Sequence, residues 1–280
     1  MSHEPYSSDR FYRNLALGFF LTKEDKPPQN LRGLLNGTDW EQMFAVGILC
    51  QQGDFSYAER AHHIMMRNNE TLIWNAGVNI LGFTNGWKST LKSFDFFRSR
   101  MNEYNVRYYM AMLLGSACDI RAVVPLIELY ALCTNPDEDC DQTLRELSFL
   151  LETEDREIFD SRHDLPSHQS LVELTKPYQL SVSEALDGFK VFEAQPYDVV
   201  RLAERLLARL EAEDARSERF YRGRLAFEAA TGVNCTTFFD EKFRLDRLAA
   251  MGILEEFLES DQVSRFVPGQ RYFFGHPIPD

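Results

Sequence analysis

A repeating apolar pattern constrains this chain more than any other feature of its sequence. Three consecutive blocks each contain an apolar segment, a short polar turn and a second, amphipathic segment. The blocks span residues 40–66, 72–97 and 106–132, with their turns at 51–54, 84–87 and near 116–119. Aligning Leu49, Leu81 and Leu114 gives steps of 32 and 33 residues. This period predicts helical hairpins that stack, because each hairpin can bury its apolar face only against its neighbours.

Residue pairs with the spacing of a capping box support the helices. In a capping box, a Ser or Thr hydroxyl and a Glu carboxylate three residues later each accept a hydrogen bond from an unpaired backbone amide. The five pairs are Thr38/Glu41, Ser56/Glu59, Thr143/Glu146, Ser170/Glu173 and Ser181/Glu184. We therefore predict that helices begin at these five hydroxyl residues.

The pattern becomes less regular after Leu132. We predict a helix from Thr143 to Leu151 that forms half of a degenerate fourth repeat. Further along, we predict an irregular connector around one short helix at 161–180, a long amphipathic helix after Pro196, two helices within 220–259 and an extended tail over 266–280. Only Arg271–Phe274 is compatible with a strand.

These observations predict an all-α fold of stacked helical hairpins with a more irregular helical C-terminal part. We divide the chain into an N-terminal helical cap (1–37), the helical repeats (38–160) and a C-terminal helical region with the extended tail (161–280).

Net charge indicates which classes of partner the chain can bind, and cysteine content indicates the cellular compartment. The chain has 280 residues, a formal net charge of −13 and a pI near 5.0, which disfavours nucleic acid and anionic membranes as partners. Its five cysteines show no C-x-x-C pair and no metal-ligand spacing, a pattern typical of a reducing cytosol. The apolar run at 15–21 lacks a following cleavage site, and no stretch approaches the length of a membrane span, so we expect a cytoplasmic protein.

Residues with catalytic or metal-binding potential do not form a recognisable constellation in the sequence. His62 and His63 are adjacent on a predicted helix, where their side chains diverge by about 100° and do not share an ion. His163 and His168 are interpreted as solvated loop residues rather than metal ligands. The chain has no G-x-S-x-G motif and no glycine-rich phosphate loop. We therefore predict no enzymatic activity, no metal, no cofactor and no small-molecule substrate.

Acidic residues concentrate between positions 135 and 160. Ten acids stand against two arginines there, a charge of −8 out of −13. This cluster is either a solubilising loop or a docking patch for a basic protein surface. A calcium-binding loop is disfavoured, because the cluster lacks the ligand spacing and the glycine that such a loop requires. Two aromatic residues near the turns are either partner anchors or helix-packing residues. The predicted partner-binding residues are Asp137, Glu138, Asp139, Asp141, Glu152, Glu154, Asp155 and Glu157, with Tyr57 and Trp87 as the aromatic anchors.

The repeat block over roughly 38–155 and the C-terminal sequence FVPGQRYFFGHPIPD resemble bacterial immunity proteins built on HEAT-like repeats. Such proteins are partners of polymorphic or type VI secreted toxins. The resemblance implies a HEAT-like α-solenoid that binds one cognate toxin and blocks it without catalysis. An acidic patch would suit a nuclease toxin, whose active cleft must be basic to hold phosphates.

Two other functions remain open on the sequence. The first is a helical-repeat adaptor or scaffold within a larger assembly. The second is a helical-repeat enzyme that acts on nucleic acid, which the acidic charge disfavours because such an enzyme needs a basic concave groove.

Overall fold

The chain is mainly α-helical, as predicted. The computed structural model describes residue 19 and residues 30–133, 139–152, 166–185, 190–212, 218–240 and 244–279. The helices in these ranges are α1 (Leu31–Leu34), α2 (Asp39–Gln51), α3 (Arg60–Met66), α4 (Thr71–Thr84), α5 (Trp87–Phe96), α6 (Tyr104–Ser116), α7 (Val123–Ala131), α8 (Asp141–Leu151), α9 (His168–Ala185), α10 (Val199–Glu211), α11 (Glu218–Thr231) and α12 (Arg247–Glu259). The strands are β1 (Val191–Phe192), β2 (Gln195–Pro196), β3 (Tyr272–Phe273) and β4 (His276–Pro277).

Two compact units divide the chain. The first contains Met1–Thr84, Asp198–Val267 and Tyr272–Ile278, and the second contains Asn85–Tyr197, Pro268–Arg271 and Pro279–Asp280. The predicted three-part division of the chain stays a prediction.

Two of the three predicted hairpins are present as the packed helix pairs α2/α3 and α6/α7. Both helices of the middle hairpin are also present, but α4 belongs to the first unit and α5 to the second. In the first unit α2 packs against both α3 and α4, and in the second α6 packs against both α7 and α8. Each of these first helices thus contacts its own partner and the first helix of the next hairpin. This is the local packing expected of stacked hairpins. A continuous solenoid stays a prediction.

The residues that define the period are buried. Leu49 is 6% exposed, and Leu81 and Leu114 are fully buried. Leu147 in α8, 33 positions after Leu114, is fully buried as well. Helix α8 therefore occupies the position of the first helix in a fourth repeat.

One of the five predicted capping boxes is confirmed. The Thr38 hydroxyl accepts a hydrogen bond from the Glu41 amide, and the Glu41 carboxylate accepts one from the Thr38 amide at 2.7 Å. The other four predictions are wrong. Helix α3 begins after Glu59, because Ser56 belongs to a 3-10 turn that Asp54 caps. The hydroxyl residues of the remaining pairs lie inside helices α8 and α9, at positions 143, 170 and 181.

The prediction of an irregular connector around one short helix at 161–180 is wrong from residue 168 onward, where helix α9 begins. This helix has 18 residues and continues through Pro177. Leu171 and Thr175 on it are fully buried, and α9 packs against α7. Tertiary packing therefore outweighs the lost amide donor of the proline. Residues 161–165 lie outside the described ranges.

Short hairpins and C-terminal helices complete the described regions. β1 pairs with β2, a hairpin that the sequence did not predict, and β3 pairs with β4 in the segment predicted to be strand-compatible. Phe274 and Gly275 both have positive φ, which suits the tight turn between β3 and β4. The predicted long helix after Pro196 is α10. Helices α11 and α12 confirm the last pair, but they are separated by a longer break with a 3-10 turn at Cys235–Phe238.

Within the described residues, none of the helices combines the length and the apolar composition that a membrane crossing requires.

Gly115 allows α6 and α8 to approach closely, and its replacement tests this contact. A Cβ atom at Gly115 would lie 1.8 Å from Oε2 and 2.9 Å from Cβ of the buried Glu146. We expect Gly115→Ala to lower the free energy of unfolding by about 1–3 kcal/mol, because a buried side chain must move. Urea denaturation followed by circular dichroism measures this loss.

Gly252→Ala is the matched control. Gly252 lies in the interior of α12, and nothing lies within 4 Å of an added Cβ. We expect this substitution to raise the free energy of unfolding by about 0.5–1 kcal/mol through helix propensity. An equal response of the two variants would contradict the close approach.

Candidate functional site

The junction between α7 and α8 is the candidate functional site. Helix α7 ends at Ala131 and α8 begins at Asp141, so the junction contains the start of the acidic cluster. Asp137 and Glu138, which were predicted to bind a partner, lie outside the described residues. Glu154, Asp155 and Glu157 also lie outside them.

Asp139 is an internal residue of the second unit. Its side chain has no exposed surface and pairs with the Nε atom of Arg107, whose own side chain is 2% exposed, at 2.5 Å. Arg107 also donates to the carbonyl oxygen of Met101 at 2.8 Å, and the Thr143 hydroxyl donates to the Asp139 carbonyl at 2.7 Å. Asp139 therefore links the start of α8 to α6 and offers no carboxylate surface to a partner.

Two other acids of the predicted site are described. Asp141, in the first turn of α8, pairs with Arg145 at 2.6 Å while keeping part of its side chain exposed. Glu152 follows α8, is 2% exposed and accepts a hydrogen bond from the Ser148 hydroxyl. Of the described acids predicted to bind a partner, Asp141 alone presents a carboxylate at the surface.

The solvent face of α7 was not predicted as part of a site. Val124, Glu128, Ala131 and Leu132 are exposed, and their spacing of four, three and one residues places them on one face of the helix and its end. Val124 and Leu132 are each 52% exposed. We name these four residues the α7 surface. It ends at Leu132, three positions before the acidic segment 135–160 begins, so aliphatic and acidic residues follow one another along the chain.

The two predicted aromatic anchors fall in different compact units. Tyr57 in the first unit is half-buried, and the guanidinium of Arg60 lies over its ring at 5.5 Å. Trp87 in the second unit begins α5 and is half-buried, with the guanidinium of Arg121 at 5.1 Å from its ring centre. Both aromatic rings therefore have intramolecular cation–π contacts, which favours the helix-packing alternative for each.

The structure also brings together three possible metal ligands that the sequence analysis did not combine. The sulfur atoms of Cys133 and Cys140 and a carboxylate oxygen of Asp139 all lie within 4.8 Å of one another. Cys133 precedes Cys140 by seven residues, which is longer than the usual spacing of paired zinc ligands. The end of α7 and the start of α8 have to meet before these side chains become neighbours.

The pKa values of both thiols in this cluster are raised, mainly by burial. Burial raises the pKa of Cys140, and the charge of Asp139 raises it further. Burial also raises the pKa of Cys133, with added contributions from the charges of Cys140 and Asp139. Burial and these thiols raise the pKa of nearby Tyr130 to about 12. An additional negative charge in this cluster is therefore unfavourable unless a cation accompanies it.

Comparison with protein-family models, with curated proteins and with solved structures gives no match to this chain. The resemblance to immunity proteins therefore rests on the residues quoted for it.

The contrast between Asp139 and Asp141 is testable by stability measurements. We expect Asp139→Ala to lower the free energy of unfolding by about 3–5 kcal/mol, because it leaves the buried Arg107 guanidinium without its counter-charge. Asp141→Ala removes a solvent-accessible ion pair with Arg145, and we expect a loss of about 0–1 kcal/mol. Urea denaturation of both variants gives the two values, and equal losses would contradict the structural role of Asp139.

Proposed function

We propose that this chain is an immunity protein that binds a cognate secreted toxin and blocks it by covering its active site or its substrate groove. The observation that supports this best is the α7 surface, where exposed aliphatic side chains precede the most acidic segment of the chain. The proposed toxin has a basic surface, as a nuclease does. No catalytic step by this chain is part of the proposal.

The aliphatic residues of the α7 surface would supply the binding energy. Val124 and Leu132 are each 52% exposed on one helix face, so a partner that covers them removes apolar area from water. Interfaces commonly place such residues at their centre and charged residues at their rim. Glu128 lies between the two aliphatic residues, and Asp141 follows at the start of α8.

The acidic residues would steer the toxin toward the docking surface and would favour a toxin with a basic surface. Residues 135–160 carry a charge of −8, which attracts a basic surface before contact and raises the rate of association. The burial of Asp139, Glu146 and Glu152 places part of this charge inside the protein. The docking contribution is therefore assigned to the predicted acids other than Asp139 and Glu152, which are Asp137, Glu138, Asp141, Glu154, Asp155 and Glu157.

Co-expression with a candidate toxin from an adjacent reading frame tests the proposal. We expect the wild-type chain to restore growth, and we expect a triple charge reversal (Asp137→Lys, Glu138→Lys and Asp141→Lys) to protect poorly. The reversal replaces attraction by repulsion at the docking surface. Colony counts measure protection, and Asp139 stays unchanged so that the buried ion pair is retained.

The matched control is a triple reversal of exposed acids in the first unit. Glu255→Lys, Glu256→Lys and Asp261→Lys give the same net charge without touching the α7–α8 junction. We expect this variant to protect like the wild type. If the wild-type chain gives no protection against its neighbouring toxin, the immunity proposal fails and an adaptor function becomes the better explanation.

Binding kinetics with the purified toxin separate the apolar and the electrostatic contributions. We expect Val124→Ser with Leu132→Ser to accelerate dissociation about tenfold or more, because a partner then covers less apolar surface. We expect the charge reversal at 137, 138 and 141 to slow association instead, with an effect that shrinks as salt is added. Surface plasmon resonance measures both rates.

Leu248→Ser is the control for the apolar substitutions. Leu248 is 80% exposed on α12 in the first unit. We expect it to leave both rates unchanged. Dissociation that is unchanged in the Val124/Leu132 variant would remove the α7 surface from the interface, even if the complex itself forms.

A further inference from the structure

The cluster of Cys133, Asp139 and Cys140 has the composition of a cation site. Two thiol sulfurs and one carboxylate oxygen lie within 4.8 Å of one another at the α7–α8 junction. Ligand atoms on one tetrahedral zinc ion lie about 3.5–3.8 Å apart, since Zn–S bonds are about 2.3 Å and Zn–O bonds about 2.0–2.2 Å long. The three side chains therefore need movements of about 1 Å to reach this geometry.

The surroundings of the cluster are largely shielded from water. Asp139 and Cys140 are buried, and Cys133 is half-buried. The sulfur of Cys133 lies 3.8 Å from the Thr143 hydroxyl and 3.4 Å from the carbonyl oxygen of Leu129. When Cys133 ionises to bind an ion, the bond from its sulfur to the metal replaces the hydrogen bond that the thiol donates to the Leu129 carbonyl.

Arg107 holds the carboxylate of Asp139 in place through their buried ion pair. Its guanidinium pairs with one carboxylate oxygen of Asp139 and so orients the group. Carboxylates that ligate metals are commonly held by a hydrogen-bond donor of this kind. With both thiols ionised, a divalent cation and Arg107 together balance the two thiolates and the carboxylate.

We propose that Cys133, Cys140 and Asp139 bind a thiophilic divalent cation, with zinc as the expected class and water completing its coordination. Sulfur ligands select such an ion over calcium or magnesium, which prefer oxygen. Binding releases the protons of both thiols, because only the thiolates ligate the metal. The ion joins the end of α7 to the start of α8 across residues 134–138. This inference does not depend on the proposed immunity function.

Thiol burial also argues against a simple redox role for this pair. The thiolate is the form that reacts in disulfide exchange, and burial raises the pKa of both thiols of this cluster. A divalent cation reverses this preference, because its charge stabilises both thiolates. The two sulfur atoms are therefore suitable ligands when an ion is present.

Cobalt and zinc titrations of the full chain in reducing buffer test the proposal. We expect one equivalent of Co²⁺ to give the intense sulfur-to-cobalt absorption of a thiolate complex, and Zn²⁺ to displace it. Cys133→Ser with Cys140→Ser should abolish that absorption and weaken zinc binding at least 100-fold. Asp139→Asn should weaken zinc binding about 10- to 100-fold.

Cys50→Ala is the matched control. It removes a buried cysteine of the first unit and keeps all three proposed ligands. We expect it to bind cobalt and zinc like the wild type. Circular dichroism reports whether each variant is folded.

Alkylation of the wild-type chain gives a test that needs no variant. We expect added Zn²⁺ to slow the reaction of Cys133 and Cys140 with iodoacetamide, and to leave Cys50 unaffected, as measured by peptide mass spectrometry. The proposal is overturned if the folded wild-type chain shows no thiolate–cobalt absorption, or if zinc protects neither thiol of the cluster.

Discussion

Burial of helix α6 is the constraint on which the second unit depends. Nine of its thirteen residues are buried, so its sides have to be covered by other elements. Helices α5, α7 and α8 all pack against it. A helix that is apolar on nearly every side cannot face water, and the stacking of successive hairpins is the arrangement that encloses it. The Gly115 backbone and the Glu146 side chain show how closely α6 and α8 approach within that arrangement.

The repeat period predicted the helices well because burial and period have the same physical cause. Leu114 and Leu147 lie one period apart on α6 and α8, which pack against each other, and both are buried. Leu81 on α4 in the first unit is buried as well. Local signals were less reliable. The Ser170/Glu173 pair has the spacing of a capping box, yet it lies inside α9, and Pro177 does not end that helix. Packing of α9 against α7 outweighs these local preferences, and a single sequence gives no direct measure of that packing.

The candidate site was only partly predictable for a similar reason. The sequence locates the acidic cluster but does not show which carboxylates face inward. Arg107 and Asp139 are 32 residues apart, one repeat period, so the period itself contained a signal for their pairing. Applying the period to charged as well as to apolar positions would have identified Asp139 as an internal residue. The three-ligand cluster had no comparable signal, because its members meet only when α7 and α8 pack.

At the α7–α8 junction, the formal charge of the acidic residues is therefore larger than the charge that they present to solvent. Asp139 is neutralised inside the protein by Arg107, and Asp141 shares its charge with Arg145 at the surface. In the proposed complex, an approaching basic protein would experience mainly the remaining acids of the cluster and would cover the aliphatic residues of the α7 surface. A cation bound by Cys133, Asp139 and Cys140, as proposed, would leave the net charge of the junction unchanged, since the two thiolates balance it. The proposed ligands could thus hold a cation without reducing the acidic charge of residues 135–160.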